Sequence, residues 1–360
     1  GEWIPSARRN QRFLSVQAPV GVVAAVTPWN YPMSMLTRKM APALAAGCTL
    51  VLKPAEATPL NAKAIFEVFH DAGVPKGVIN MVTASNPVPI GEVFTTDPRV
   101  AKLTFTGSTA VGRTLAAAAG GALKRISVEL GGHAPFIVMP DADPVHAAKG
   151  AAALKFLNAG QACISPNRIY VHRDSVQSFT DTLAERVGRV RTGDGAVEGI
   201  GCGPLVNEAA VAKVEAQVDD AVAKGATVLA GGTRLTEGDL ARGHFFAPTV
   251  LGDVTPDMVI YREETFGPVA PVIAYDDPET VVDLANDTNY GLAAYVYTND
   301  LSTALRTIEQ LRFGIIGVND VNPTSASVPF GGMKDSGLGR EGAREGLLEY
   351  LETKTAGIAL

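Results

Sequence analysis

Short apolar runs alternate with longer amphipathic stretches through the first third of the chain, and that rhythm restricts it to few architectures. Residues 20–26 (VGVVAAV) and 48–52 (CTLVL) are short apolar runs, and each is followed by a proline within two positions. A strand covered on both faces reads as an unbroken apolar run, so both are expected as buried parallel strands. Between them residues 33–46 have helical spacing and stop at Gly47, a good helix-ending residue. Residues 58–72 repeat the pattern and stop at Gly73. Residues 78–82 and 102–105 read as further strands, and the alanine-rich 108–119 as a helix. Strand, helix, strand, helix in this order implies a parallel sheet with helices on its faces.

The series restarts near Gly131. Residues 134–138 read as a strand, 143–157 as a helix, 168–172 as a strand, 175–190 as a helix and 226–230 as a strand. A loop-rich stretch is expected after that, and residues 353–360 as a strand pairing outside the main body. No internal repeat or low-complexity tract occurs.

Composition excludes several function classes. A net charge of −6 with no basic run argues against nucleic acid or an anionic membrane as partner. No stretch approaches the roughly 20 apolar residues that span a bilayer. The polar opening segment lacks the apolar core of a secretory signal. Cys48, Cys163 and Cys202 are an odd, widely spaced set, which favours a reducing, cytoplasmic setting. No Cys or His pair has metal-ligand spacing, so no metal site is expected.

The residues that carry chemistry stand where loops leave or enter strands. Cys163, in Gly160-Gln161-Ala162-Cys163, is either a buried structural thiol or a nucleophile on a loop entering a strand. Glu129 ends an apolar strand and precedes Leu130-Gly131-Gly132. It is a surface carboxylate or, if partly buried, a general base with a raised pKa. Asn30, in Thr27-Pro28-Trp29-Asn30, follows a strand and is a turn residue or an oxyanion donor. Lys53 and Glu56 after the next strand are a solvated pair or two contacts to one ribose; a carboxylate there repels a 2′-phosphate. Gly107 and Ser108 open a helix and suit a pyrophosphate, although the GxGxxG fingerprint is absent. Glu264 and Phe266 are a turn with a core aromatic, or a ribose contact and a ring-packing partner.

Taken together, PWN, KPAE, FTGS, ELGG, GQAC, EETFGPV and PFGGMK closely resemble the aldehyde dehydrogenase superfamily, in the family's order, from Val20 to about Leu351. The resemblance implies two Rossmann-like doubly wound α/β domains with a small oligomerisation segment. It places an oligomerisation or bridging segment at 1–19, an NAD-binding domain at 20–131, a catalytic domain at 132–331 and a return segment with an oligomerisation strand at 332–360. Family members carry a longer segment ahead of the position matched by Gly1, so the cofactor domain is expected to be incomplete at its amino end. The resemblance makes Cys163 the catalytic thiol, Glu129 the general base and Asn30 the oxyanion amide. Thr27, Trp29, Lys53, Glu56, Gly107, Ser108, Glu264 and Phe266 become cofactor contacts. NAD is expected over NADP because of Glu56, the substrate is a small-molecule aldehyde, and a homodimer or homotetramer is expected.

Within the family the chain looks most like the succinate-semialdehyde dehydrogenase branch, in which two arginines and a serine hold a substrate carboxylate. Arg38 matches the first arginine and Ser325 the serine. Leu157 stands where the second arginine belongs, and an apolar residue there removes a bidentate clamp, which favours a less charged or longer aldehyde. Ser165 replaces the second cysteine that some members use as a redox switch. Hydrolysis by the same Cys163 and Glu129, or a truncated non-catalytic homologue, are the other readings; the Lys53, Glu56 and Glu264 positions speak against the first.

Overall fold

Two strands that no apolar run announces open the chain: β1 (Glu2–Ile4) and β2 (Gln11–Pro19), paired antiparallel. The structure, a computed structural model, describes residues 1–360. Next come β3 (Val22–Val26), α1 (Pro32–Ala46), β4 (Thr49–Lys53), α2 (Pro59–Asp71) and β5 (Ile79–Met81). They are followed by α3 (Val88–Thr96), β6 (Val100–Thr106), α4 (Thr109–Gly121) and β7 (Arg125–Glu129). All five strands from β3 to β7 pair in parallel, in the order β7-β6-β3-β4-β5. The chain runs outward from β3 to β5, then returns to lay β6 on the other side of β3. Loops leaving β3 and β6 therefore diverge, and the crevice of a doubly wound sheet opens there. Gly47 ends α1 in left-handed backbone (φ 86°), the role its place in the sequence suggests.

A second parallel series comprises β8 (Ala134–Val138), α5 (Pro144–Lys155), β9 (Pro166–His172), α6 (Val176–Gly188), α7 (Glu208–Ala223) and β10 (Thr227–Ala230). Then follow β11 (Thr249–Gly252), α8 (Val259–Arg262), β12 (Val269–Tyr275), α9 (Val281–Asn286), β13 (Ala293–Tyr297), α10 (Leu301–Gln310) and β14 (Ile315–Val318). The sheet order is β10-β11-β12-β9-β8-β13-β14, with only the β10–β11 pairing antiparallel. This corrects the loop-rich expectation after residue 230: four of the seven strands lie there. The helix expected to reach Leu157 stops at Lys155, and Leu157 begins a 3-10 turn.

The tail adds β15 (Gly337–Leu338), antiparallel to β7, α11 (Ala343–Leu348) and β16 (Leu351–Ala359). β16 pairs along its whole length with β2, in a three-stranded sheet apart from both parallel ones. The chain divides into two compact units. One holds Gly1–Leu130, Thr324–Gly331 and Gly337–Leu360, and the other Gly131–Pro323 and Gly332–Ser336.

Candidate active site

In the first unit, the residues expected to hold a cofactor all follow the carboxyl ends of β3, β4 and β6. Thr27, Trp29 and Asn30 lie between β3 and α1. Thr27 is buried and its backbone N–H bonds the carbonyl of Lys53, the last residue of β4, at 3.2 Å. Lys53 is itself buried and its ammonium is paired with Glu56. Burial pushes Glu56 up, but the hydrogen bond and charge of Lys53 outweigh it and hold the carboxyl below its ordinary value. Gly107 lies between β6 and α4, and Ser108 caps α4. A Cβ on Gly107 would stand 2.6 Å from the Phe105 ring, so the turn needs glycine. The hydroxyls of Thr27 and Thr106, at the ends of β3 and β6, are buried with no hydrogen-bond partner. Buried polar atoms are ordinarily bonded, so two orphans at the mouth of this crevice fit a polar ligand such as a dinucleotide.

Glu129 closes β7. It is 4% exposed, and neither carboxylate oxygen has a hydrogen-bond partner. Burial raises its pKa well above the ordinary value. The charge of Glu341 adds to the rise, while Lys39, Arg340 and Arg38 oppose it. Glu341 is held by Lys39 at 2.6 Å, and Lys39 also bonds Thr104 at 3.0 Å. A Cβ on Gly331 would stand 2.6 Å from Glu129 Oε1, so Gly331 lets backbone lie against the carboxylate. The surface alternative for Glu129 is thereby excluded. Lys39 and Glu341 belong to no motif in the sequence; the one signal is a lysine on the inner face of an amphipathic helix.

Cys163 lies in the second unit, on the loop between α5 and β9, and is half-buried, whereas Cys48 and Cys202 are buried. Burial raises the Cys202 thiol to about 11, as befits an inert cysteine. The Cys163 loop touches the start of β8 and the turn before β12. A Cβ on Gly132 would stand 2.2 Å from the Cys163 carbonyl oxygen, and one on Gly160 would stand 2.1 Å from the Gly267 carbonyl oxygen. Glu264 accepts a 2.8 Å hydrogen bond from Gly132 N–H, and burial raises its pKa to about 7. Phe266, two residues on, is half-buried with left-handed backbone (φ 52°). Glu264, Phe266 and Cys163 thus share one neighbourhood at the amino ends of β8, β9 and β12. Ligand crevices normally open at carboxyl ends, so the position of this cluster is not one that fold class alone supplies.

A cavity of about 480 Å³ in the first unit is lined by Ser34, Thr37, Arg38, Thr324, Ser325 and Phe330, among others. The Arg38 guanidinium stacks on the Phe330 ring, 4.2 Å from its centroid. Its Nη1 is buried without a hydrogen-bond partner. The Ser325 hydroxyl bonds that of Ser327 at 3.0 Å. Leu157 belongs to the second unit and its side chain is exposed.

The profile of the Aldehyde dehydrogenase family matches residues 1–356. A probable succinate-semialdehyde dehydrogenase [NADP(+)] of Sinorhizobium fredii is 50% identical over 98% of this chain and 71% of its own length. A 3-sulfolactaldehyde dehydrogenase of Pseudomonas putida is 48% identical over 98% of this chain and 72% of its own. The crystal structure of succinate-semialdehyde dehydrogenase from Burkholderia pseudomallei superposes with a TM-score of 0.96 at 48% identity, over 100% of this chain and 74% of that one.

Proposed function

The chain belongs to the aldehyde dehydrogenase family and is an oxidoreductase acting on aldehydes, and from this premise we propose that its substrate is a short aldehyde with an anionic far end, succinate semialdehyde first. The observation that carries the substrate class is Arg38, whose buried Nη1 has no partner where it lines a cavity rich in hydroxyls. A guanidinium donates to a carboxylate in a planar fork. Leu157 in place of a second arginine led to the expectation of a less charged or longer aldehyde; relatives 50% identical that are named for succinate semialdehyde weigh against it, and one guanidinium with the hydroxyls of Ser325 and Thr324 then carries the recognition.

The roles are assigned residue by residue. The Cys163 thiolate attacks the aldehyde carbon, a C–S bond forms, and the carbonyl oxygen takes the negative charge. The Asn30 amide and the Cys163 backbone N–H donate to that oxygen, each donor being worth roughly 3–4 kcal/mol. The adduct carbon then gives up its hydrogen with the C–H electron pair as hydride, for which NAD(P), when bound, would be the acceptor, and a thioester on Cys163 remains. Glu129 then takes a proton from the water that attacks the Cys163 thioester, which frees the acid and restores the thiolate. A general base contributes roughly 10²–10⁴ in rate.

Thr27, Trp29, Lys53, Glu56, Gly107 and Ser108, with Glu264 and Phe266, are assigned to the cofactor. The expected preference for NAD weakens. Glu56 is neutralised by Lys53 and is partly exposed, so it repels a 2′-phosphate less than an isolated carboxylate would, and two relatives are named for NADP(+). NADP is at least as well placed as NAD. The first unit's parallel sheet is assigned to the cofactor and the second unit to catalysis. Trp3, Ile4, Val16 and Ile358 are exposed on the three-stranded sheet, which supports assembly of a dimer or tetramer through it. No helix is long and apolar enough to cross a membrane. The free thiols suit a reducing cytoplasm.

The test is NAD(P)H formation with succinate semialdehyde and with butanal, its neutral counterpart. At least tenfold higher kcat/KM is expected for the anion, and Arg38→Leu should erase the difference, since hydrogen bonds to charged groups are worth about 1.5–3 kcal/mol. Equal use of both aldehydes by the parent would overturn the substrate class. Undiminished turnover in Cys163→Ala would overturn the mechanism.

A further inference from the structure

Lys155 is the last residue of α5, and its side chain is fully buried. Its ammonium donates to Asn167 Oδ1 at 3.1 Å, twelve positions along the chain and already in β9. Everything between these two residues is the segment that carries Cys163. The segment is strained. Asn158, Ala159 and Gly160 take left-handed backbone in succession, with φ of 51°, 54° and 73°. L residues avoid this conformation because Cβ crowds the next carbonyl, and it persists only where neighbours hold it.

Three holds are visible. Asn158 and Gln161 bond each other's carbonyls, at 3.4 and 3.1 Å. Gln161 also reaches the Pro204 carbonyl at 3.2 Å and accepts from Val206 N–H at 2.9 Å. The third hold crosses the neck of the loop. Asn167 takes the Lys155 hydrogen bond on its oxygen and donates from its nitrogen to the Ser165 carbonyl at 3.3 Å. Ser165 N–H in turn bonds the Ala162 carbonyl at 3.0 Å, enclosing Cys163. A continuous chain thus runs from the end of α5 to the turn around the thiol.

A buried ammonium costs free energy that an aliphatic side chain at the same place does not. Burial lowers the Lys155 pKa to about 7, and the charge of Glu264 opposes that fall. A lysine kept under these conditions needs a role that packing does not supply.

We propose that Lys155 is a positioning residue for Cys163, closing the neck of the nucleophile loop through Asn167 so that the left-handed turn at Asn158, Ala159 and Gly160 presents the thiol. This rests on the reading of Cys163 as nucleophile. The helix end, the amide and the Ser165 carbonyl move as one link, and cutting it at either end releases the same turn.

The experiment measures iodoacetamide alkylation of Cys163 by mass spectrometry in the full chain without cofactor, together with the thermal midpoint, kcat and the cofactor KM. The variants are Lys155→Met, Asn167→Ala and the two combined. Lys155→Met should keep or raise the midpoint, lower alkylation and kcat together by about tenfold or more, and leave the cofactor KM within about twofold, because misplacement of a reacting group lowers rate before affinity. The double variant should lose no more than the worse single one. A folded Lys155→Met that alkylates at the parent rate overturns the proposal, as does a double variant whose loss is the product of the two single losses. If Lys155→Met does not fold, Asn167→Ala decides alone, and a parent rate there overturns it. Retained turnover in Cys163→Ala would remove the nucleophile reading instead, while the alkylation rates would still report on the clamp.

Discussion

Glu264 accepts a 2.8 Å hydrogen bond from the backbone N–H of Gly132, tying the turn ahead of β12 to the start of β8. Gly132 in turn lies directly against the Cys163 carbonyl, so one carboxylate braces the strand start that supports the nucleophile loop. The same carboxylate is assigned to the cofactor, which gives it two claims on one set of oxygens.

The titration of Glu264 follows from its burial. Its folded pKa is raised from 4.5 to about 7, so the folded state holds the proton more tightly than the unfolded chain. Its stabilising contribution is full below the unfolded value and is lost as pH rises through about 7. Glu264→Gln keeps an oxygen for Gly132 N–H and cannot ionise. Its thermal midpoint relative to the parent should therefore rise between pH 5 and pH 8. A difference that stays constant with pH would contradict the raised pKa.

Gly132→Ala puts a methyl group 2.2 Å from the Cys163 carbonyl, closer than any real contact allows. The neighbour is backbone, so the nucleophile loop must shift. A stability loss of about 1–3 kcal/mol is expected from overpacking, with a fall in kcat of at least tenfold. Calorimetry and steady-state kinetics check both, and a variant with parent kcat would show that the loop tolerates displacement.

Glu129 is buried with neither oxygen bonded, and its pKa is raised mainly by burial. A base must be ionised to act, so kcat should climb with pH through a step above the ordinary carboxylate range. Glu129→Gln should abolish the step and lower kcat by about 10²–10⁴. The same shift makes the ionised carboxylate a cost to the fold that grows as pH rises above 4.5. Glu129→Gln should accordingly melt higher than the parent at pH 8 while being far less active. Deacylation at the parent rate would remove the general-base role.

Glu56→Ala leaves Lys53 without its carboxylate partner at the end of β4, with the Pro54 carbonyl at 3.1 Å still accepting from it. The freed ammonium favours a 2′-phosphate, so the ratio of kcat/KM for NADP to that for NAD should rise. A modest factor of about 3–10 is expected because Glu56 is partly exposed and its charge is screened. An unchanged ratio would show that Glu56 does not face the adenosine ribose.

β3 and β4 are legible because each is a short, mainly apolar run closed by a turn residue. β3, β4 and β6 all lie within one or two residues of the expected spans. β1 and β2 are not legible in this way, since β1 is exposed, β2 is only half-buried, and neither forms an unbroken apolar run. The long region after residue 230 reads as loops because its glycines and prolines mask short strands, although β12 and β13 are nearly all buried. Helix α7 lies outside the expected elements although a capping residue, Asn207, starts it and every third or fourth side chain is apolar.

Sequence alone determined the chemistry that each position offers: a thiol at 163, a carboxylate at 129, an amide at 30 and a guanidinium at 38. It also fixed the βαβ order that places Thr27, Lys53 and Gly107 at strand ends, because hydrophobic periodicity and turn residues are local properties. The tertiary structure alone decided which groups are perturbed. Glu129 lost its solvent and gained Glu341 as a neighbour from a residue more than two hundred positions away. Lys155 and Asn167 met because a helix end and a strand start pack side by side. Arg38 came to stack on Phe330. Burial and the fields of distant charges arise from the packing of remote segments, and no local pattern of residues encodes them.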